Sequence, residues 1–143
     1  MDSMHDLSLP PRFDGAFTLP ADRHGDYLRA VGGGHPVHSS RELAVRAGFA
    51  DVPLAGIHVL GAAMATFTRQ FARHPMQLLK VDTRFVRPAY PGDTLALALE
   101  LLDSEAVAAT PFVAGRYQGY CATSGGQKVL MLDFKIRVAP AGG

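Results

Sequence analysis

A glycine-rich loop holds the two side chains that point most directly to chemistry in this sequence. The segment Gly32–His38, GGGHPVH, places Pro36 between His35 and His38, and the proline fixes its own φ and restricts the backbone of His35. Imidazole exchanges a proton near neutral pH more readily than other side chains. We therefore take His38 as the candidate acid or base and His35 as a second candidate. The structural alternative for His38 is a loop histidine bonded to a backbone carbonyl.

Neither a metal nor a phosphate is expected in this loop. A proline lies between His35 and His38, and no acidic residue or cysteine follows them at metal-ligand spacing. The glycines are not followed by a Lys-Ser or Lys-Thr pair, and no strand precedes them, so the features of a nucleotide-binding loop are missing. The sequence therefore predicts no metal and no cofactor.

A second candidate site lies at the start of an apolar stretch. Gly56 precedes the proline-free segment Ile57–Arg73, and His58 lies in the first turn of the helix that this segment predicts. The first N–H groups of a helix lack intrahelical partners and lie at the positive end of its dipole, where they can polarise a carbonyl oxygen. We expect Gly56, Ile57 and His58 to form an oxyanion or substrate-binding site. A glycine required only for packing or for a turn is the structural alternative.

The remaining histidines show less pattern. The side chain of His58 is expected to be structural, because histidines in such positions are more often satisfied by hydrogen bonds than catalytic. His5, His24 and His74 are expected to be exposed or to make only local contacts.

Composition excludes several other classes of function. A chain of 143 residues with 48% hydrophobic and 19% charged residues fits one folded domain. A net charge of +1 without a basic cluster argues against nucleic acid or an anionic membrane as partner. The single cysteine, Cys121, allows no internal disulfide, and no apolar stretch reaches the roughly 18 residues of a membrane span. We expect a cytoplasmic protein, and small neutral substrates or local contacts with anions remain open.

Three helices are predicted in the first half of the chain. The first covers residues 21–31 with Asp22 as N-cap, and the second follows Ser39, which forms a capping-box pattern with Glu42. The third, Ile57–Arg73, contains many small residues and is expected to be closely wrapped by other elements.

The second half of the chain predicts strands. Beta-rich segments separated by turn residues are Leu78–Val86, Thr94–Leu102, Phe112–Thr123 and Lys128–Val138, and a short strand is expected at Ala16–Leu19. Strands that follow one long buried helix indicate an α+β domain in which an antiparallel sheet packs around that helix. We place the domain at residues 16–138, with a tail or edge segment at 1–15 and a tail at 139–143.

Two stretches resemble the MaoC-like dehydratases and (R)-specific enoyl-CoA hydratases. The first family motif runs Tyr, a few residues, Gly-Asp-x-Asn-Pro-x-His, a short helix, Gly-Phe and a Gly-led central helix. It is matched by Tyr27, Gly32, Pro36, Val37, His38, Ala44, Gly48, Phe49 and Gly56. The second family signature, Arg-Phe-x-x-Pro-x-x-x-Gly-Asp-x-Leu, is similar to the segment 84–95, RFVRPAYPGDTL. The resemblance covers about residues 16–138 and implies a hot-dog fold, a homodimer, and acyl-thioester sites near the subunit interface.

The resemblance implies a hydro-lyase of fatty acid metabolism that acts on an acyl-CoA or acyl-carrier thioester. His38 matches the motif histidine, while the motif aspartate falls on Gly33 and the motif asparagine on His35. The family's histidine before the central helix falls on Ala55. Loss of one member of a cooperating catalytic set commonly costs several powers of ten in rate.

Three accounts of the missing aspartate stay open. His35 acts together with His38, or another side chain reaches in, the candidates being Asp26, Asp51 and His58. In the third account the site only binds an acyl thioester or hydrolyses it, since a fold alone does not fix the reaction.

Overall fold

The structure, a computed structural model, describes residues 7–142. Within these residues, one antiparallel sheet contains all five strands. The strands are β1 (Arg12–Thr18), β2 (Met76–Phe85), β3 (Thr94–Ala106), β4 (Val113–Thr123) and β5 (Lys128–Val138). Their order across the sheet is β1-β3-β4-β5-β2, so β1 and β2 are the edges. Alternate residues of β5 are at most 2% exposed, namely Leu130, Leu132, Phe134, Ile136 and Val138. This alternation gives the sheet one apolar face.

The central helix α3 (Gly56–Thr68) packs on that face. Its Phe67 is fully buried, and the Phe67 ring makes edge contacts with Tyr117 and Phe134 at centroid distances of 4.8 and 5.1 Å. Ala63, one turn earlier, has no exposed surface, as expected where a small residue lets the sheet approach the helix closely. The α+β prediction, a long helix wrapped by an antiparallel sheet, is confirmed.

Two shorter helices precede α3, and their caps differ from those predicted. Helix α1 (Ala21–Ala30) begins after Pro20 and has no side-chain cap, because the Asp22 carboxylate lies in the first turn and accepts the Arg23 N–H. Helix α2 (Arg41–Arg46) is capped by Ser40, whose hydroxyl accepts the Leu43 N–H at 3.3 Å. The predicted cap at Asp22 is therefore wrong, and the predicted cap at Ser39 is displaced by one residue.

The segment before β1 is held against the sheet. Leu9 is 7% exposed and packs against Gly115, and the Tyr117 hydroxyl donates a 2.7 Å hydrogen bond to the Pro10 carbonyl. Strand β1 begins at Arg12, four residues before the predicted start. Part of the segment 1–15 thus forms a sheet edge, while His5 lies outside the described residues.

Candidate active site

A cavity of about 390 Å³ brings the two predicted halves of the site together. His38, from the loop after α1, and Gly56 and Ile57, from the start of α3, all line it. The walls are otherwise mainly apolar, with Phe49, Leu54, Val59, Phe85, Val86 and Leu130 among them. A larger groove of about 780 Å³ lies across the sheet beside charged residues such as Arg12 and Glu100, and it contains none of the predicted site residues.

His38 is held in one tautomer by the backbone. It ends a 3₁₀ turn, Pro36–His38, and its half-buried ring places Nδ1 3.1 Å from the Pro53 carbonyl oxygen. Because a carbonyl only accepts, Nδ1 carries the hydrogen and the neutral ring keeps its lone pair on Nε2. The carbonyl contact that was the structural alternative for His38 is therefore present, and it leaves the lone pair of Nε2 unused by this contact.

His35 shapes the loop and does not line the cavity. Its ring is exposed, and Nδ1 accepts the Val37 N–H at 3.0 Å, which caps the 3₁₀ turn from its N-terminal side. Pro36 at the first position of the turn supplies the fixed φ that the turn requires. Within the part of the chain that the structure describes, the ring neighbour of His38 is His24 and not His35.

The three loop glycines adopt backbone conformations that other residues rarely take. Gly32, Gly33 and Gly34 have φ of 85°, 99° and 65°, and the Gly33 N–H donates a 2.6 Å hydrogen bond to the Leu28 carbonyl. This reversal ends α1 in the way that glycine commonly ends helices. A Cβ on Gly33 would meet no heavy atom within 4 Å, so the backbone and not crowding restricts this position.

Two backbone N–H groups in the first turn of α3, those of Gly56 and Ile57, are available to bind a ligand. The N–H groups of His58 and Val59 both donate to the Ala55 carbonyl, at 3.0 and 3.2 Å. Helix geometry leaves Gly56 and Ile57 without an intrahelical acceptor, at the positive end of the helix dipole. The backbone of His58 is thus occupied, and the oxyanion candidate narrows to Gly56 and Ile57.

Packing also requires glycine at position 56. A Cβ there would lie 2.5 Å from the ring of Phe85, the last residue of β2. The Phe85 ring therefore lies directly against the first turn of α3, and it forms a wall of the cavity at that turn. Gly56 is thus required for packing, which was the structural alternative, and its N–H also remains free to face the cavity.

A buried histidine was missed by the expectation from sequence. His24, on α1, is 3% exposed, and its Nε2 accepts the N–H of Ala55, the N-cap of α3, at 3.0 Å. The expectation that His24 is exposed or local is wrong. The sequence did carry a signal, because His24 precedes Tyr27 and Leu28 by three and four residues and so shares their face of α1.

His24, Tyr27, His38 and His58 form a ring cluster beneath the start of α3. The rings of Tyr27 and His58 stack at 4.3 Å with 5° between their planes, and those of His24 and His58 stack at 5.5 Å with 12° between them. The edge contact between His24 and His38 is 6.3 Å. The side chain of His58 is thus placed by stacking, although its buried Nδ1 has no hydrogen-bond partner among the described residues.

Burial shifts two imidazoles of this cluster toward the neutral form. It lowers the pKa of His24 below its ordinary value, and the neighbouring His58 and His38 lower that pKa further. Burial also lowers the pKa of His58, with a second contribution from the Arg23 guanidinium. A neutral His24 is what an Nε2 acceptor requires.

The sequence and the fold agree with one family. The model of the MaoC like domain matches residues 22–119, which is more than half of the chain. The chain belongs to the MaoC-like domain family. Within the match lie His38, the start of α3 and the segment 84–95, which carried the resemblance noted in the sequence. None of the curated proteins compared with the chain matches it.

Three solved structures are similar to this MaoC-like domain over more than nine-tenths of both chains. A monoamine oxidase regulatory protein from Archaeoglobus is 17% identical with a TM-score of 0.81, and 95% of this chain and 93% of that one are covered. A MaoC-like dehydratase from Rhodospirillum rubrum is 18% identical with a TM-score of 0.77 and coverages of 96% and 97%. An (R)-hydratase from A. caviae involved in PHA biosynthesis is 14% identical with a TM-score of 0.74 and coverages of 92% and 96%. The predicted hot-dog fold is confirmed.

No carboxylate is among the described residues that line the cavity of this MaoC-like domain. Asp26 is paired with Arg29 on the exposed face of α1. Asp51 accepts the Val52 N–H at 2.8 Å and lies 3.9 Å from the Arg41 guanidinium, also at the surface. The two carboxylates considered as replacements for the motif aspartate are therefore engaged elsewhere.

The described residues hold neither a cluster of metal-binding side chains nor a helix suited to span a membrane. No group of three or more His, Cys, Asp and Glu side chains is arranged to hold a metal ion within residues 7–142. In the same residues, no helix has the length and apolar character needed to cross a membrane.

Proposed function

We propose that this MaoC-like domain is a hydro-lyase that adds water to an enoyl thioester or removes it from a 3-hydroxyacyl thioester carried by CoA or an acyl carrier. The observation that carries the proposal is that His38 and the first-turn N–H groups of α3 line the same apolar cavity. The reaction needs a group that transfers protons and a group that stabilises a developing oxyanion. The apolar walls suit the acyl chain.

A single imidazole accounts for both proton transfers. In the dehydration direction, the thioester oxygen lies at the N–H groups of Gly56 and Ile57, and Nε2 of His38 takes the proton from the α-carbon. The imidazolium that forms is stabilised by the Pro53 carbonyl at Nδ1. It then returns the same proton to the β-hydroxyl as the carbon–oxygen bond breaks, so that water and the enoyl thioester are the products. Hydration is the reverse.

The absence of a carboxylate from the described lining defines this version of the mechanism. Neither His35, which caps the loop, nor His58, which stacks on Tyr27, lines the cavity, so we assign the second group to neither. His38 therefore alternates between base and acid within one turnover. We propose no cofactor, since the reaction transfers only a proton and water.

The proposed partner is a second copy of the chain. Strand β2 is a sheet edge, and it carries half-exposed apolar side chains at Leu78, Leu79 and Phe85, followed by Val86. An exposed apolar edge of this kind pairs readily with another strand. A homodimer joined near β2 would also border the cavity, because Phe85 and Val86 line it. We propose a cytoplasmic enzyme of fatty acid metabolism.

The test is turnover of short and long trans-2-enoyl-CoAs, followed as loss of the enoyl absorbance. The proposal predicts formation of 3-hydroxyacyl-CoA from at least one of these substrates. Free thiol is measured in the same samples, because its release would indicate a thioesterase. Absence of hydration with every enoyl-CoA tried would contradict the proposal.

A second candidate function is a catalytically inactive domain that binds an acyl thioester. It is favoured by one observation, the lack of any carboxylate in the described lining of the cavity. Calorimetric titration with crotonyl-CoA and longer acyl-CoAs distinguishes the binding protein from the enzyme. Binding without loss of the enoyl group supports the binding protein, whereas hydration supports the enzyme.

A further inference from the structure

His24 occupies the place of a capping side chain at the start of α3. Ala55, the N-cap residue, has no side chain that can accept a hydrogen bond, and α3 has no side-chain cap. The N–H of Ala55 instead donates a 3.0 Å hydrogen bond to Nε2 of His24, 31 residues earlier. In a capping box this same N–H is bound by a side chain of the helix's own first turn. Here the acceptor comes from the neighbouring helix α1.

We propose that His24 is a positioning residue that fixes the first turn of α3, and with it the N–H groups of Gly56 and Ile57, by accepting the Ala55 N–H. Ala55 lies between Leu54 and Gly56, which both line the cavity, so the bond anchors the backbone of the cavity wall. The catalytic consequence rests on the proposed function, whereas the anchoring role does not. A displacement of about 1 Å at a catalytic site can cost about 100-fold in rate.

The surroundings of His24 keep its ring in place. The ring is 3% exposed, stacks with His58 of α3, and makes an edge contact with His38 of the loop. On its own helix the plane of Tyr27 lies 8° from that of His24, at 6.4 Å. His24 therefore links α1, the His38 loop and α3 through its ring and one hydrogen bond.

The link requires a neutral ring. A proton on Nε2 would face the Ala55 N–H, donor against donor, and would add positive charge at the positive end of the α3 dipole. The titratable and charged groups near His24 are His58, His38 and Tyr27, with Arg23 beside His58. His58 and His38 are imidazoles, and each of them disfavours a further positive charge. Acid therefore weakens the anchor as His24 takes up a proton.

Two substitutions separate the acceptor from the ring. In His24→Gln the amide oxygen reaches roughly the position of Nε2 and accepts the Ala55 N–H without titrating, whereas His24→Leu fills a similar space without an acceptor. His74→Gln serves as a control, since His74 is a half-buried histidine that lies beyond the C-terminal end of α3. Full-length protein is used throughout.

The first readout does not depend on activity. In wild-type protein, ¹⁵N NMR is expected to show His24 neutral at pH 7 with its hydrogen on Nδ1, and the Ala55 amide shift to titrate together with His24. Amide exchange at Ala55 is expected to be about tenfold faster in His24→Leu, the factor that corresponds to one lost hydrogen bond. His24→Gln and His74→Gln are expected to exchange like wild type. A hydrogen on Nε2 at pH 7, or unchanged exchange in a folded His24→Leu variant, would overturn the proposal.

The second readout is enoyl-CoA hydration. His24→Leu is expected to lower kcat by about 100-fold with a much smaller change in KM, because the oxyanion contact acts mainly in the transition state. His24→Gln is expected to recover most of that loss. A glutamine variant as impaired as the leucine variant would contradict the positioning role. If wild-type protein has no hydratase activity, the proposed function fails, and the NMR result alone decides the role of His24.

Discussion

The ring of Phe85 lies against Gly56 so closely that a Cβ on residue 56 would be 2.5 Å from two of its ring carbons. The strand β2 and the first turn of α3 thus meet at the residue that begins the proposed oxyanion site. Because Phe85 is 51% exposed, the ring can be displaced outward when position 56 is enlarged.

Substitution of Gly56 by alanine is expected to lower stability by about 1 kcal/mol and to raise KM for enoyl-CoA, since the Phe85 ring must leave its place in the cavity wall. Gly61→Ala is the matched control: a Cβ at this exposed position of α3 would meet nothing within 4 Å. It is expected to raise stability by about 0.5–1 kcal/mol, because alanine is the better helix former. Urea unfolding and steady-state kinetics measure both effects.

A double-mutant cycle tests whether Phe85 causes the loss. In the Phe85→Ala background, Gly56→Ala is expected to cost little further stability, because the clashing ring is gone. Equal costs of Gly56→Ala in both backgrounds would show that the contact with Phe85 does not restrict position 56.

The Gly33→Asp variant is expected to gain no hydratase activity. Gly33 has φ of 99°, a conformation that costs a residue with a side chain about 1 kcal/mol or more. An aspartate would therefore strain the turn that ends α1 or move it. Thermal unfolding and hydration are measured for Gly33→Asp and for Gly33→Ala, which also places a side chain at this positive φ but has no carboxylate. A large rise in kcat in the aspartate variant alone would show that the loop accepts the motif carboxylate.

The free energy of unfolding is expected to decrease as the pH is lowered from 7.5 to 5. The pKa values of His24 and His58 are lowered by folding from their ordinary 6.5, so the unfolded chain binds more protons in the window between the folded and unfolded values. The free energy of unfolding therefore decreases as pH falls through 6.5, and the loss is complete below the folded pKa values. Urea unfolding at several pH values checks this.

The non-titrating variant His24→Gln provides the comparison for this pH dependence. Its free energy of unfolding is expected to decrease less between pH 7.5 and pH 5 than that of wild-type protein. An identical pH dependence in the two proteins would mean that His24 does not contribute.

Local patterns predicted most of the fold. The bounds of β5 agree with the predicted strand Lys128–Val138, because alternating apolar residues end at clear turns. Strand β3 was predicted to end at Leu102 but continues to Ala106. An irregularity in its pairing with β4, between Leu101 and Asp103, carries the strand through residues that resemble a turn.

The site was predicted less completely, because its contacts are distant in sequence. His38 and Gly56 were identified from motif and helix signals, and the structure places them on one cavity. The helical spacing of His24 with Tyr27 and Leu28 indicated its buried face, but its partner, the Ala55 N–H, lies 31 residues away and is brought to it only by the fold. The choice of Ser40 over Ser39 as the α2 cap depends on one residue of register, which sequence patterns rarely resolve.

The most direct test of the account compares His38→Ala with His35→Ala in the enoyl-CoA hydration assay. The two histidines lie in the same loop, but only His38 lines the cavity. Loss of the acid–base group is expected to lower kcat by about 10²–10⁴-fold in His38→Ala, while His35→Ala retains a kcat within about tenfold of wild type. A His38→Ala variant that turns over enoyl-CoA as fast as wild type would contradict the central claim that His38 transfers the proton.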